Sequence, residues 1–164
     1  MKTLFLFIFV GLSFLGYSQK KLSKLLEQHN NKSIPYITVK TLQNEKNNVI
    51  LLDSREAKEF NTSHLKNAIH VGYNSFNIKS VQSQLPNKKA KIVVYCSLGI
   101  RSEDIAEKLK KAGYTNIYNL YGGIFEWKNN NFEIINSQEK ITDSVHTFSK
   151  AWSKWLKKGI KVYE

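Results

Sequence analysis

Cysteine is nearly absent from this 164-residue chain: it has one, Cys96, with two prolines and one methionine. A single thiol cannot staple the chain internally, so no disulfide framework holds the fold. Acidic residues are also scarce, 13 against 25 lysines and arginines, for a formal charge of +12. The basic residues are spread in ones and twos and no nucleic-acid motif accompanies them, which argues for solvated faces that attract small anions. No second histidine or carboxylate stands at metal spacing from His29 or the other histidines, so neither a metal nor another cofactor is expected. Long apolar runs are missing apart from Leu4–Leu15, which is shorter than the roughly 20 residues a membrane-spanning helix needs.

That run has another reading. Lys2, the apolar Leu4–Leu15 stretch and the small residues Gly16 and Ser18 form the three parts of a secretory signal peptide. Cleavage is expected after Ser18, removing Lys2 and one unit of charge, and placing the mature protein outside the cytoplasm, in a periplasm or secreted. Gln19–Glu164 is then one domain's worth of chain, expected to be a monomer. The expected divisions are a leader over 1–18, an N-terminal helix over 19–33, a domain over 34–136 and a C-terminal extension over 137–164.

The chain is organised around Lys91–Ser102. Ile92-Val93-Val94-Tyr95 reads as a buried strand, Cys96–Arg101 as a loop and the residues beyond as a helix, the junction where α/β sheets bind ligands. Within the loop, Ser97, Leu98, Gly99, Ile100 and Arg101 can turn backbone N–H groups inward, and Gly99 tolerates the positive φ such a turn needs. The following helix dipole and Arg101 add positive field, which lowers a cysteine pKa from about 8.5 toward roughly 3.5–7.5. A packing cysteine needs none of this, so Cys96 is the candidate nucleophile.

Elsewhere the pattern alternates. Leu22, Leu25, Leu26 and His29 mark an amphipathic helix; Ile34–Val39 an edge strand begun near Pro35; Lys40–Glu45 a helical turn; and Val49–Leu52 a strand covered on both faces, ending on Asp53-Ser54-Arg55-Glu56. Ala57–Phe60 suggests a short helix, Ala68–Val71 a third central strand, and Ile78–Leu85 a helix stopped by Pro86. Ile105, Ala106, Leu109 and Ala112 make one helix face, with Glu103 and Asp104 near its start and Gly113 beyond its end. Ile117–Leu120 reads as the last strand, and Tyr121-Gly122-Gly123 as a tight turn into a helical Ile124–Lys128. Strands alternating with helices imply an α/β fold with a parallel sheet and helices on both faces.

Four segments resemble the rhodanese-like sulfurtransferase family, in its order and spacing over about residues 36–135. They are Leu51–Glu56 with Glu59-Phe60; Ser63–Ile69; Val93–Cys96 through Arg101-Ser102; and Gly113-Tyr114 through Leu120–Gly123 with Trp127. The resemblance implies a five-stranded parallel sheet, a persulfide on Cys96, a small sulfur-containing anion such as thiosulfate as donor, and a thiol or cyanide as acceptor. A persulfide carrier or redox-sensing module without turnover is the alternative. Asp53 and Arg55 match the family's charged pair, bracing the loop or helping to bind an anion; a purely structural ion pair is the other reading. His64 matches the family's usual histidine and is expected to be hydrogen-bonded and structural. Ser63 and Asn67 stand where glycine is common, and Ser97 where some thiosulfate-preferring members carry arginine, leaving one fixed cation in the loop. Four residues separate Cys96 from Arg101, against five in the phosphatase-like relatives, so the cradle suits a persulfide sulfur better than a phosphoryl group.

The tail lies outside this resemblance. Val145, Phe148, Trp152, Trp155 and Leu156 fall on one side of a helical wheel, with Lys150, Lys154, Lys157 and Lys158 on the other, predicting a basic amphipathic helix over 143–158. Docking on the domain is expected, with an anionic membrane surface or a partner protein as the other occupant. His146 reaches the active site only if the tail folds back.

Overall fold

A computed structural model describes residues 21–163. The expected leader and its cleavage point lie outside the described residues. The chain divides into two compact units, the first ending at Lys32 and the second beginning at Ser33. In the first, residues 21–29 form helix α1.

The second unit is built on a five-stranded sheet: β1 (Tyr36–Ile37), β2 (Ile50–Asp53), β3 (Ile69–His70), β4 (Ile92–Tyr95) and β5 (Ile117–Leu120), in the order β1-β5-β4-β2-β3. Every pairing in it is parallel. The crossovers are helices α2 (Val39–Glu45), α3 (Ala57–Thr62), α4 (Ile78–Gln84) and α5 (Arg101–Lys111), and α6 (Gly123–Asn129) follows β5. Two-residue alternation sorts the side chains of the central strands. Leu52, Ile92, Val94 and Ile117 join Val81 of α4 and Ile105, Ala106 and Leu109 of α5 in one core cluster. Leu51, Val93 and Tyr95 point to the opposite face and are also buried. This double coverage is why the central strands read as unbroken apolar runs.

Register sets the position of the site. Leu52 pairs with Val94 and Asp53 with Tyr95, while Val94 pairs with Asn119. The carboxyl ends of β2, β4 and β5 are therefore level, and the loops that follow them open on one side of the sheet. Ser54 N–H extends the ladder by donating to the Tyr95 carbonyl at 2.9 Å.

Several sequence expectations need correction. The first strand is only Tyr36–Ile37, because the Thr38 hydroxyl accepts from Thr41 N–H at 3.1 Å and caps α2, drawing Val39 into the helix. Ala68–Val71 is not central: β3 pairs with β2 alone and forms the sheet edge, its two residues half-buried. Ile117–Leu120 is the last strand of this sheet but not of the chain. A short antiparallel pair, β6 (Ile134–Ile135) and β7 (Ile141–Thr142), follows α6.

The largest correction is the tail, which does not form the expected amphipathic helix. Residues 144–162 fold as a parallel pair, β8 (Ser144–His146) and β9 (Ile160–Val162), around a single helical turn, α7 (Lys150–Ser153). Phe148 adopts φ 63°, which interrupts helical geometry, and Ser149 caps the turn by accepting from Trp152 N–H at 3.4 Å. Thr147 N–H bonds the Val162 carbonyl instead of a helical partner. The helical-wheel stripe thus came from residues that alternate along a strand and then cross a turn. Val145 and Leu156 are buried, whereas Phe148 is 52% exposed.

Candidate active site

The chain leaves β4 at Tyr95 and turns sharply through residues 96–100 before α5 begins at Arg101. Two features of α6 hold that turn from below. Ile124 N–H donates to the Cys96 carbonyl at 2.9 Å and Phe125 N–H to the Ser97 carbonyl at 3.2 Å. The approach is close: a Cβ on Gly123, at φ 54°, would lie 2.3 Å from the Cys96 carbonyl oxygen. Only glycine fits there, which gives the Gly122-Gly123 turn a role beyond reversing the chain.

From the other side, Asn119 of β5 donates through Nδ2 to the Gly99 carbonyl at 2.8 Å and accepts from the Ser102 hydroxyl at 2.7 Å. With its backbone tied at Cys96, Ser97 and Gly99, the loop is preorganised. Gly99, at φ 108°, turns its N–H onto Cys96 Sγ at 3.1 Å. The Ser102 hydroxyl lies 3.5 Å from the same sulfur.

Cys96 is 2% exposed. Burial alone would push its pKa up. The Arg101 charge, the Ser102 hydroxyl and the backbone N–H groups of Gly99 and Ser102 together outweigh that cost, and the thiol sits below its ordinary value. These groups favour the thiolate over the thiol.

Arg101 is itself held. Its Nη1 donates to Glu59 Oε2 at 2.8 Å and its Nη2 to Glu59 Oε1 at 2.7 Å, a bidentate pair with a carboxylate that is 2% exposed. The Ser97 hydroxyl closes the triangle, donating to Glu59 Oε1 at 3.1 Å and accepting from Arg101 Nη2 at 3.1 Å. Burial raises the Glu59 pKa, but the hydrogen bonds and charge of Arg101 and the charge of Arg55 prevail, keeping it below the usual carboxylate range. Glu59 also accepts from Glu56 N–H at 3.0 Å, so α3 is capped by the residue that positions the loop cation.

The expected loop residues Cys96, Ser97, Leu98, Gly99, Ile100 and Arg101 are therefore brought together, though the Ser97 side chain faces Glu59 and Leu98 is buried. Asp53 and Arg55 bond each other. Arg55 donates through Nε to Asp53 Oδ1 at 3.0 Å and through Nη2 to Oδ2 at 2.6 Å, and Nη2 also reaches the Ser63 carbonyl at 2.6 Å. Both side chains are fully buried, and Arg55 Nη1 has no hydrogen-bond partner among the described residues. His64 stacks on Phe60 with ring centroids 3.8 Å apart, its Nδ1 at 3.0 Å from the Phe60 carbonyl. Asn67, where the family resemblance favours glycine, takes φ 64°.

Three residues that sequence reasoning passed over belong to this corner. Glu59 enters the sequence reading only beside Phe60 in a family-like segment, without a role, and nothing local ties it to Arg101. His70 Nε2 lies 2.8 Å from the Arg55 carbonyl and fixes the turn after β2. Phe148 comes from the tail, with the Arg101 guanidinium carbon 5.2 Å from its ring centroid.

Comparison with known proteins agrees with this fold. A family profile described as Rhodanese-like domain matches residues 38–130. The thiosulfate sulfurtransferase GlpE of Coxiella burnetii (strain RSA 331 / Henzerling II) is 30% identical over 84 residues, 51% of this chain and 76% of that protein. The tRNA uridine(34) hydroxylase of Aster yellows witches'-broom phytoplasma is 34% identical over 88 residues, but the match spans only 28% of its length. Among solved structures, the thiosulfate sulfurtransferase from Pseudomonas aeruginosa aligns with TM-score 0.59 at 19% identity, covering 85% of this chain and 26% of that one. The rhodanese-like domain of the Anabaena sp. Alr3790 protein aligns with TM-score 0.56 at 20% identity, covering 62% and 79%. At these identities the structures show a shared fold.

Proposed function

The chain belongs to the rhodanese-like domain family, and from that premise we propose that it is a sulfurtransferase working through a Cys96 persulfide. The observation that carries the reading is the Cys96 sulfur itself: buried, bonded by Gly99 N–H at 3.1 Å, and held below its ordinary pKa chiefly by Arg101. Such a sulfur forms its thiolate at lower pH than an ordinary cysteine, and its surroundings are complementary to a persulfide anion.

The reaction runs in two displacements. The Cys96 thiolate attacks the outer sulfur of a sulfane donor; a new S–S bond forms, the donor's S–S bond breaks, and the leaving group departs with the electron pair. With thiosulfate the products are sulfite and Cys96–S–S⁻. An acceptor thiolate or cyanide then attacks the outer persulfide sulfur and leaves with it as a persulfide or thiocyanate, returning the Cys96 thiolate. Charge balances in both steps and no redox partner is needed. The name of the hydroxylase relative bears little on this chain, since most of that protein has no counterpart in it. The leader-like first residues support an extracytoplasmic site of action.

The test is steady-state turnover with several sulfane donors and with cyanide or thiols as acceptors, beside an aryl phosphate assay. Turnover well above that of a free low-pKa thiol, lost in Cys96→Ser, is the expected outcome. Turnover no better than a free thiol leaves only a persulfide carrier. Cysteine-dependent phosphate hydrolysis exceeding sulfur transfer overturns the proposal.

A further inference from the structure

Two arginines lie near the loop, and the charge of each is offset by a carboxylate. Arg55 is sealed in the interior against Asp53. Arg101 spends both terminal nitrogens on Glu59, and its guanidinium lies over the Phe148 ring. Its charge still acts on Cys96, but the Glu59 carboxylate offsets that charge for anything arriving from solvent. The strongly hydrated sulfonate end of thiosulfate therefore meets paired cations, not an unopposed one.

Beside Arg101 stands an aromatic ring that solvent reaches. Phe148 is half exposed, whereas Val145, His146, Thr147 and Leu156 around it are buried. The ring's position is imposed by its neighbours. A bulky residue at φ 63° is unusual, and it is kept there by Phe148 N–H bonding His146 Nδ1 at 3.1 Å, Thr147 N–H bonding the Val162 carbonyl at 3.0 Å and Ser149 N–H bonding the Thr147 carbonyl at 2.7 Å. An outlier that the surrounding structure over-determines is a recurrent feature of ligand-facing positions. A ring needed only for packing would be buried like its neighbours.

We infer that Phe148, contributed by the tail outside the family-matched segment, is a specificity-determining residue favouring sulfane donors that carry an apolar or aryl group beside the reacting sulfur. The inference rests on the sulfurtransferase reading. For an aryl thiosulfonate, R–SO2–S⁻, the Cys96 thiolate takes the terminal sulfur, the bond between the two donor sulfurs breaks, and the sulfinate R–SO2⁻ leaves with the electron pair. Two charges enter and two remain. The aryl group of R packs against Phe148 while Arg101 stays on Glu59.

Benzenethiosulfonate and methanethiosulfonate are both monoanions with sulfinate leaving groups, so the ratio of their kcat/KM values isolates the ring contact. The test measures that ratio, with cyanide as acceptor, in the full chain, in Phe148→Ala and in Phe148→Tyr. A thermal melt of each variant verifies the fold, and intact mass after donor treatment verifies persulfide on wild-type Cys96. The ratio is expected to fall about three- to tenfold in Phe148→Ala and to stay near wild type in Phe148→Tyr, as for loss and retention of one aromatic contact. An unchanged ratio in Phe148→Ala overturns the inference, whether both rates hold or both fall together. Absence of persulfide on the wild-type protein with either donor instead overturns the sulfurtransferase reading beneath it. Should Phe148→Ala melt early, Phe148→Leu replaces it, with the same expected fall and the same contrary result.

Discussion

Two arginine–carboxylate pairs stand near the same corner of the sheet, and their chemistry differs although their parts are the same. Asp53–Arg55 spans one turn at the end of β2, is fully buried, and ties the start of its loop to the Ser63 carbonyl. Glu59–Arg101 joins two elements 42 residues apart and leaves the arginine side chain 18% exposed. The first pair lies in the interior, where it fixes backbone. The second sits at the edge of the thiol site, where its arginine field acts on Cys96. Family resemblance pointed to the first pair; the geometry gives the more direct influence on sulfur chemistry to the second.

The contrast can be broken at either end. Asp53→Ala leaves the Arg55 charge buried without its partner and is expected to cost about 3–5 kcal/mol in denaturant unfolding. Glu59→Gln keeps a neutral acceptor beside a partly exposed arginine and should cost about 1–3 kcal/mol. Acid titration of stability separates the two further. The Glu59 pKa is depressed in the fold, so its contribution is present above the ordinary carboxylate range and fades as pH falls through the folded value. Wild type should therefore lose more stability on acidification than Glu59→Gln. Equal losses for the two substitutions, or equal acid sensitivity of wild type and Glu59→Gln, would erase the distinction.

A subtler effect concerns Arg101 alone. Its charge is the foremost of the influences that lower the Cys96 pKa. Arg101→Met should move the acid limb of Cys96 alkylation by iodoacetamide to higher pH, because the thiolate then forms only in more alkaline solution. A limb that stays in place would assign the low pKa to the Ser102 hydroxyl and the backbone N–H groups.

How much of this was legible in the sequence follows from the range of the interactions. The strand–loop–helix around Cys96 could be read because strand, turn and helix start are local and contiguous, and the four spaced segments located the sheet around it. The identity of the third strand as an edge could not, since Ile69-His70 carries no mark of how many neighbours it has. Glu59 was hidden because its partner is 42 residues away, and a carboxylate three residues into a helix start has an ordinary local explanation. The tail misled for a different reason. Val145, Phe148, Trp152, Trp155 and Leu156 satisfy a helical wheel, but Ser149 as a cap and Phe148 at positive φ divide them into strand and turn. Periodicity over a dozen residues is weak evidence when residues that favour caps and turns interrupt it.

The central claim is that Cys96 accepts a sulfur atom, and intact-mass spectrometry after incubation with a sulfane donor tests it most directly. The protein should gain the mass of one sulfur, return to its starting mass on adding cyanide, and show no gain as Cys96→Ser. A wild-type protein that gains nothing from thiosulfate or from an organic thiosulfonate, or a Cys96→Ser protein that gains as much, would contradict the account.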